Sequence, residues 1–343
     1  PVAQPTPPVA PTRKLAQPVF EVEAARPAPK RRSCSAPFVL ILLLIGASVA
    51  VLAFVASRTP FFFENLFAGG FARLDHTYTS STNDGALTDA VGVAVDGGGN
   101  LSVVTHDGHV VRFGPDGAPL AGWSLEGKDL AVWAIKADGT GNLYITSGGV
   151  IHKLDGPQGF EIRSIEVSDV FGLYDLAIAP DGSLISYLGS TSDQLVRFDP
   201  AGGEVARYRN PISEITGDTG LPPWQVRIAI DHDGAIYLLS QDTRFPPVFV
   251  YSPEGKYKSK FGAYGDNESQ LQHPQAIAID SKNRVYIADS GGIKVFGTDG
   301  AYLGVVRLPF SGLASGMTFD KDDHLYVVSR SEKSVYRFAL NEP

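Results

Sequence analysis

The chain has 343 residues, enough for two average domains or for one large all-β domain. Its 37 glycines, 24 prolines and 10% aromatic content favour the second, because many short strands joined by tight turns have this profile. Residues 1–58 carry seven Lys/Arg against Glu21 and Glu23, leaving 22 basic and 35 acidic residues beyond, a net −13 that would repel a phosphate backbone and argues against nucleic acid as a partner.

Residues 1–36 are rich in Pro and Ala, lack apolar periodicity and include the basic cluster Lys30-Arg31-Arg32, which reads as a disordered cytoplasmic linker. The sequence begins at Pro1 and its one methionine is Met317, as expected if an initiator was removed or if the natural protein starts further upstream. The only cysteine, Cys34, lies in this basic stretch, so disulfides and thiolate metal sites are excluded from the rest; Cys34 itself reads either as an acylation site or as a plain thiol.

From Phe38 to Ala56 the run FVLILLLIGASVAVLAFVA holds no charge. At about 1.5 Å per residue it nearly spans a hydrocarbon core of about 30 Å, which predicts a transmembrane helix over 37–57. A cleaved signal peptide is the alternative, but the run is long and a tail precedes it. Three cations precede the span and only Arg58 follows it closely, so the positive-inside rule places the N-terminus in the cytoplasm. A single-pass signal anchor in the cell membrane would then hold everything after Arg58 outside the cytoplasm, with the lipid bilayer as one partner. Residues 58–70, with Phe61, Phe62, Phe63 and Phe67, form a juxtamembrane segment suited to the lipid interface or to packing against the domain that follows.

Beyond residue 70 one nine-residue phrase recurs six times: VAVDGGGNL from Val93, IKADGTGNL from Ile135, LAIAPDGSL from Leu176, IAIDHDGAI from Ile228, IAIDSKNRV from Ile277 and MTFDKDDHL from Met317. Each is a strand, a Gly/Asp/Asn turn and the start of a second strand. Successive starts lie 42, 41, 52, 49 and 40 residues apart, the spacing of one four-stranded propeller blade. A third strand follows each phrase (VVRF, VIHKL, LVRF, VFVY, IKVF, VYRF), and turns such as GPDG and GTDG lead to a fourth. The last copy runs out of chain at Phe338, whereas Phe71 to Tyr78 has no blade of its own. Pairing the two would complete the last blade and close the ring, giving an all-β, six-bladed β-propeller of antiparallel blades over residues 71–343.

The repeats resemble the NHL-repeat family of six-bladed propellers, most plainly in FGAYGDNESQLQHPQAIAIDSKNRVYIADSGGIKVFGTDG from Phe261 to Gly300. The resemblance implies the fold, while one such scaffold hosts many functions. It also implies a search for metal-dependent lactonase or lyase chemistry. Between Asp289-Ser290 and Ile293-Lys294 there is only Gly291-Gly292, where members of the family often carry a longer polar turn with a basic residue, so the resemblance gives little support to RNA binding.

The histidines at 76, 106, 109, 152, 232, 273 and 324 recur at no equivalent positions, which leaves no three-ligand metal set and predicts no metal and no cofactor. The Asp residues of the repeated turns read as local turn acceptors. No nucleophile elbow, phosphate loop or His-Glu-x-x-His helix is present, so no catalytic residue is assigned.

Comparing inner strands column by column, the residue before each phrase reads Gly92, Ala134, Asp175, Arg227, Ala276, Gly316, and the second residue of each phrase reads Ala94, Lys136, Ala177, Ala229, Ala278, Thr318. Both columns share one strand face and are mostly small, as packing round an axis requires. Lys136, Asp175 and Arg227 interrupt them in three consecutive blades, with Trp133, Tyr174 and Trp224 nearby. These six residues form a candidate ligand site, with Lys136 and Arg227 as donors, Asp175 as acceptor and the aromatics as walls. The competing reading is an internal salt bridge filling the channel.

The expected function is a membrane-tethered binding, sensor or scaffold module whose propeller recognises a protein, glycan or small polar ligand through its loop face. Receptor-type Ser/Thr kinases of some bacteria resemble this order of linker, span and propeller, although no kinase motif is present. The alternative is a lactonase-like lyase or hydrolase acting at the central channel.

Overall fold

The computed structural model describes residues 71–79, 87–125, 131–167, 173–189, 193–218, 220–223 and 225–341. The expected linker, transmembrane helix and juxtamembrane segment lie outside the described residues, as do Cys34 and Trp224. No helix among the described residues is long and apolar enough to cross a membrane.

The six phrases build six four-stranded antiparallel sheets. Blade 1 is β1's successor group: after β1 (Ala72–Thr79) come β2 (Ala90–Val95), β3 (Leu101–Thr105), β4 (His109–Phe113) and β5 (Pro119–Ser124). Blade 2 is β6 (Val132–Ala137), β7 (Asn142–Ser147), β8 (Val150–Asp155) and β9 (Glu161–Glu166). Blade 3 is β10 (Leu176–Ile178), β11 (Leu184–Leu188), β12 (Gln194–Phe198) and β13 (Glu204–Arg209), followed by the single helical turn α1 (Ser213–Thr216). Blade 4 is β14 (Arg227–Ile230), β15 (Ile236–Leu239), β16 (Val248–Tyr251) and β17 (Tyr257–Phe261). Blade 5 is β18 (Ala276–Ile279), β19 (Val285–Asp289), β20 (Gly292–Phe296) and β21 (Tyr302–Val306). Blade 6 is β22 (Ala314–Phe319), β23 (His324–Ser329), β24 (Ser334–Leu340) and, outermost, β1.

β1 therefore closes the ring as its sequence position predicts: it runs antiparallel to β24 with Ala72 opposite Leu340, Tyr78 opposite Val335 and Thr79 opposite Ser334. Tyr78 seals the joint, being 2% exposed with its ring 5.5 Å from that of Phe113 and 6.0 Å from that of Tyr326. Arg337 on β24 adds a hydrogen bond of 2.7 Å to Asp75.

Second strands such as β3, β11, β15 and β19 are buried along their whole length, because each blade is packed on both faces by its neighbours. That is why they read as near-continuous apolar runs rather than as alternating ones. The outer strands face solvent, and all six, β1 included, carry a register irregularity against the strand inside them. A bulge there twists the exposed edge away from the flat geometry that would pair with another chain.

The turn aspartates do what their spacing implies. In five blades one carboxylate oxygen accepts the backbone N–H groups two and four residues on, as for Asp96, Asp138, Asp231, Asp280 and Asp320. In blade 3 Ala179 stands where the other phrases have this Asp, and Asp181 two residues on accepts the N–H of Ser183. In four blades a tyrosine six residues on donates to the same carboxylate: Tyr144, Tyr237, Tyr286 and Tyr326. Burial, reinforced by Asp280, pushes the Tyr286 hydroxyl far above the usual phenol range and keeps it a donor.

Asp280 is fully buried and also pairs with Arg284 at 2.6 Å. Asp280→Ala is expected to cost about 3–5 kcal/mol by leaving the guanidinium, the phenol and two N–H groups without their acceptor. Thermal unfolding of the full chain measures it, and an unchanged midpoint would show the turn holds without its carboxylate.

Candidate functional site

Six inner strands, β2, β6, β10, β14, β18 and β22, contact one another in a ring, β2 touching both β6 and β22. Room at the axis is set by the small columns. A Cβ on Gly316 would lie 3.1 Å from the Cα of Gly92 and 3.2 Å from the Val91 carbonyl oxygen, so glycine at 316 lets the last blade approach the first closely, while a Cβ on Gly92 would lie 3.0 Å from Ile135 Cγ2 of blade 2.

Lys136, Asp175 and Arg227 come together in this channel. The Lys136 ammonium is 3.5 Å from Asp175 Oδ1. Asp175 is buried; its Oδ1 also accepts the Leu176 N–H at 2.9 Å, and its Oδ2 accepts the Ile228 N–H at 3.0 Å, across to the next blade. Arg227 makes no ion pair among the described residues. Instead Nη1 donates to the Tyr174 carbonyl at 2.6 Å and Nε to the Gln275 carbonyl at 3.2 Å, tying blades 3, 4 and 5 together. The channel thus holds two cations against one carboxylate, and that carboxylate already has two backbone donors.

Trp133 and Tyr174 stand beside this group as a row of edge-to-face rings. His106 is 5.0 Å from Trp133, and Trp133 is 5.1 Å from Tyr174. The His106 ring is fixed by Nδ1 at 2.9 Å from the Val132 carbonyl oxygen. Trp133, Lys136, Asp175 and Arg227 border a narrow neck of about 30 Å³ where the inner strands begin, the end at which the sequence placed the ligand. A space that small accommodates a water molecule rather than an organic ligand.

The roomier cavity lies at the opposite end, by the Asp turns, and measures about 380 Å³. Its walls come from the third residue of each phrase, a column sequence comparison passed over: Val95, Ala137, Ile178, Ile230, Ile279 and Phe319. All six are half-buried, whereas the first residue of every phrase is buried between blades. That contrast is the signal available in the repeat, since six apolar residues at a strand end facing a turn rim form a ring. Lys136 borders both the neck and this cavity.

Among the described residues no three His, Cys, Asp or Glu side chains converge as a metal site. Five histidine rings have local partners: His109 with Ser124, His152 with Glu161, His273 with Ser290 and His324 with Asp320, besides His106.

A family profile described as a six-bladed β-propeller matches residues 225–341, which hold blades 4 and 5 and the chain-terminal part of blade 6. No curated protein matches the chain. Among solved structures, the chain is similar to virginiamycin B lyase from Staphylococcus aureus, with TM-score 0.57 and 13% identity over 79% of this chain and 100% of that one. It is similar to a gluconolactonase from Xanthomonas campestris, with TM-score 0.57 and 16% identity over 79% of this chain and 97% of that one. A streptogramin B lyase structure is similar at TM-score 0.56 and 12% identity, over 79% and 98% of the two chains. At these identities the likeness establishes the shared propeller fold, which the register of the six blades shows independently.

Proposed function

We propose that the chain is a membrane-tethered recognition module, built of NHL-type repeats, whose propeller stands outside the cytoplasm and binds a small polar ligand of negative charge in its central channel. The uncharged run 37–57 and the cations before it support the anchor and its orientation. The charge imbalance of the channel carries the ligand reading: Lys136 and Arg227 face one carboxylate, and the Arg227 guanidinium ends on carbonyl oxygens. An anion supplies the missing charge in a setting where water screens little. Trp133 and Tyr174 stand in edge-to-face contact beside the neck of this channel; Trp224 belongs to the same proposal on its sequence position alone.

The test is a thermal-shift screen of the full chain in detergent against a panel of organic anions and neutral sugars. Anions are expected to raise the midpoint, and Lys136→Met with Arg227→Met to abolish that shift while circular dichroism stays β-rich. Identical hits for both proteins would sink the reading.

The lyase and gluconolactonase names belong to chains that share the fold, and they motivate one control. A lactone and ester hydrolysis panel, with metal analysis of the purified protein, is expected to show no turnover above the uncatalysed rate; turnover lost in the same double variant would make the channel catalytic.

A further inference from the structure

The cavity at the Asp-turn end has what the neck lacks: volume, a ring of apolar side chains together with a polar rim, and an opening. Pockets that take small ligands are mostly apolar concavities from about 300 Å³ upward with a few placed polar groups, and this one, at about 380 Å³, falls in that range. It exists because the second phrase column is Ala or Thr in five blades, at Ala94, Ala177, Ala229, Ala278 and Thr318, so side chains that would fill the axis are absent. The sixth member of that column is Lys136, which borders the cavity.

Lys136 has donors to spare. Its one polar contact among the described residues is the 3.5 Å ion pair with Asp175, and no hydrogen bond to its ammonium is formed. Rim carboxylates are committed elsewhere: Asp320 accepts the Asp322 and His324 N–H groups, His324 Nδ1 and the Tyr326 hydroxyl, and Asp323 accepts the Ser281 N–H. They leave a rim where Asp320 and Asp323 outnumber Lys321, which repels an approaching dianion more than a monoanion.

From these observations we infer that the turn-end cavity binds a small monocarboxylate with a compact apolar body, the body against Ile178, Ile230, Ile279 and Phe319 and the carboxylate on Lys136. The inference rests on the reading of the channel as an anion site and adds which end the ligand occupies and what it is. One carboxylate matches the one ammonium, that of Lys136, which the inner strands present to the cavity, Arg227 and Asp175 bordering only the neck. A doubly charged phosphate would be repelled more strongly by the rim carboxylates of Asp320 and Asp323.

The experiment uses the full chain in detergent and three probes: 3-phenylpropionate, its neutral counterpart 3-phenylpropan-1-ol, and phenyl phosphate. Isothermal titration is expected to rank the acid first and the alcohol roughly tenfold weaker, equivalent to about 1.4 kcal/mol. Lys136→Met is expected to bring the acid down to the alcohol. Ala278→Phe, which fills the void, is expected to abolish both, whereas Trp133→Ala at the neck leaves both within about twofold. Should Ala278→Phe lose its cooperative melt, Ala229→Leu fills the same space from the adjacent blade.

Loss of binding in Trp133→Ala but not in Ala278→Phe would put the ligand in the neck, overturning this inference while keeping the anion reading. Phenyl phosphate binding more tightly than the acid overturns the monocarboxylate assignment. Acid binding absent while other anions still shift the melt overturns the ligand class, and absence of every anion effect overturns both readings.

Discussion

Asp175→Ala is expected to lower the stability of the propeller by about 2–4 kcal/mol, because two backbone N–H groups and a half-buried ammonium lose their acceptor together. The carboxylate is 6% exposed and serves three donors, the Lys136 ammonium and the N–H groups of Leu176 and Ile228. The Ile228 bond crosses from blade 3 to blade 4, so its loss loosens a seam as well as a residue. Combining Asp175→Ala with Lys136→Met separates charge from backbone capping. Removing the stranded ammonium should restore part of the loss, leaving about 1–3 kcal/mol for the two orphaned N–H groups. Chemical denaturation of the four proteins of this cycle gives the coupling. If the double variant is as unstable as the sum of the singles, Lys136 and Asp175 do not interact and the charge count of the channel is wrong.

The second large effect concerns ring closure. Tyr78→Ala removes a ring that is 2% exposed and packs against Phe113 of blade 1 and Tyr326 of blade 6. It should cost about 3–5 kcal/mol, the range for deleting a buried aromatic side chain. A pair of prolines at Thr77 and Tyr78 should do more. It removes the one N–H of this adjacent pair that faces β24, deletes the Tyr78 ring and sets two pyrrolidine rings in β1, which turns β24 into an open edge. The expected readouts are loss of a single cooperative melt and concentration-dependent association in size-exclusion chromatography. A monomer with an unchanged melt would mean that blade 6 holds with three strands.

Much of this architecture is legible in the repeat. Six phrases spaced like blades imply six sheets, and an unpaired strand at Phe71 to Tyr78 together with a short last copy implies closure by β1, because exposed edges are costly in any ring. Turn aspartates are equally legible, since an acceptor followed by N–H groups two and four residues later needs no distant partner. Lys136, Asp175 and Arg227 stood out because every other member of their two columns is Gly, Ala or Thr.

What these three residues touch is a different matter. Arg227 ends on the carbonyls of Tyr174 and Gln275, 53 and 48 residues away in the chain, and no local pattern encodes that choice. Nor does the repeat say which end of the channel is open. The neck closes because the inner-strand starts converge on Gly92 and Gly316 and the channel charges fill what remains, while the other end widens into a ring bounded by Ile230, Ile279 and Phe319.

By itself, then, the sequence determined the blade number, the closure, the turn chemistry and the uncharged run before the propeller. Each is written in local periodicity or in residue types whose demands are met within a few positions. Tertiary structure decided how the channel charges are shared and at which end a cavity forms. Both depend on how closely six inner strands approach one axis, a distance set jointly by side chains from every blade and visible in none of them singly.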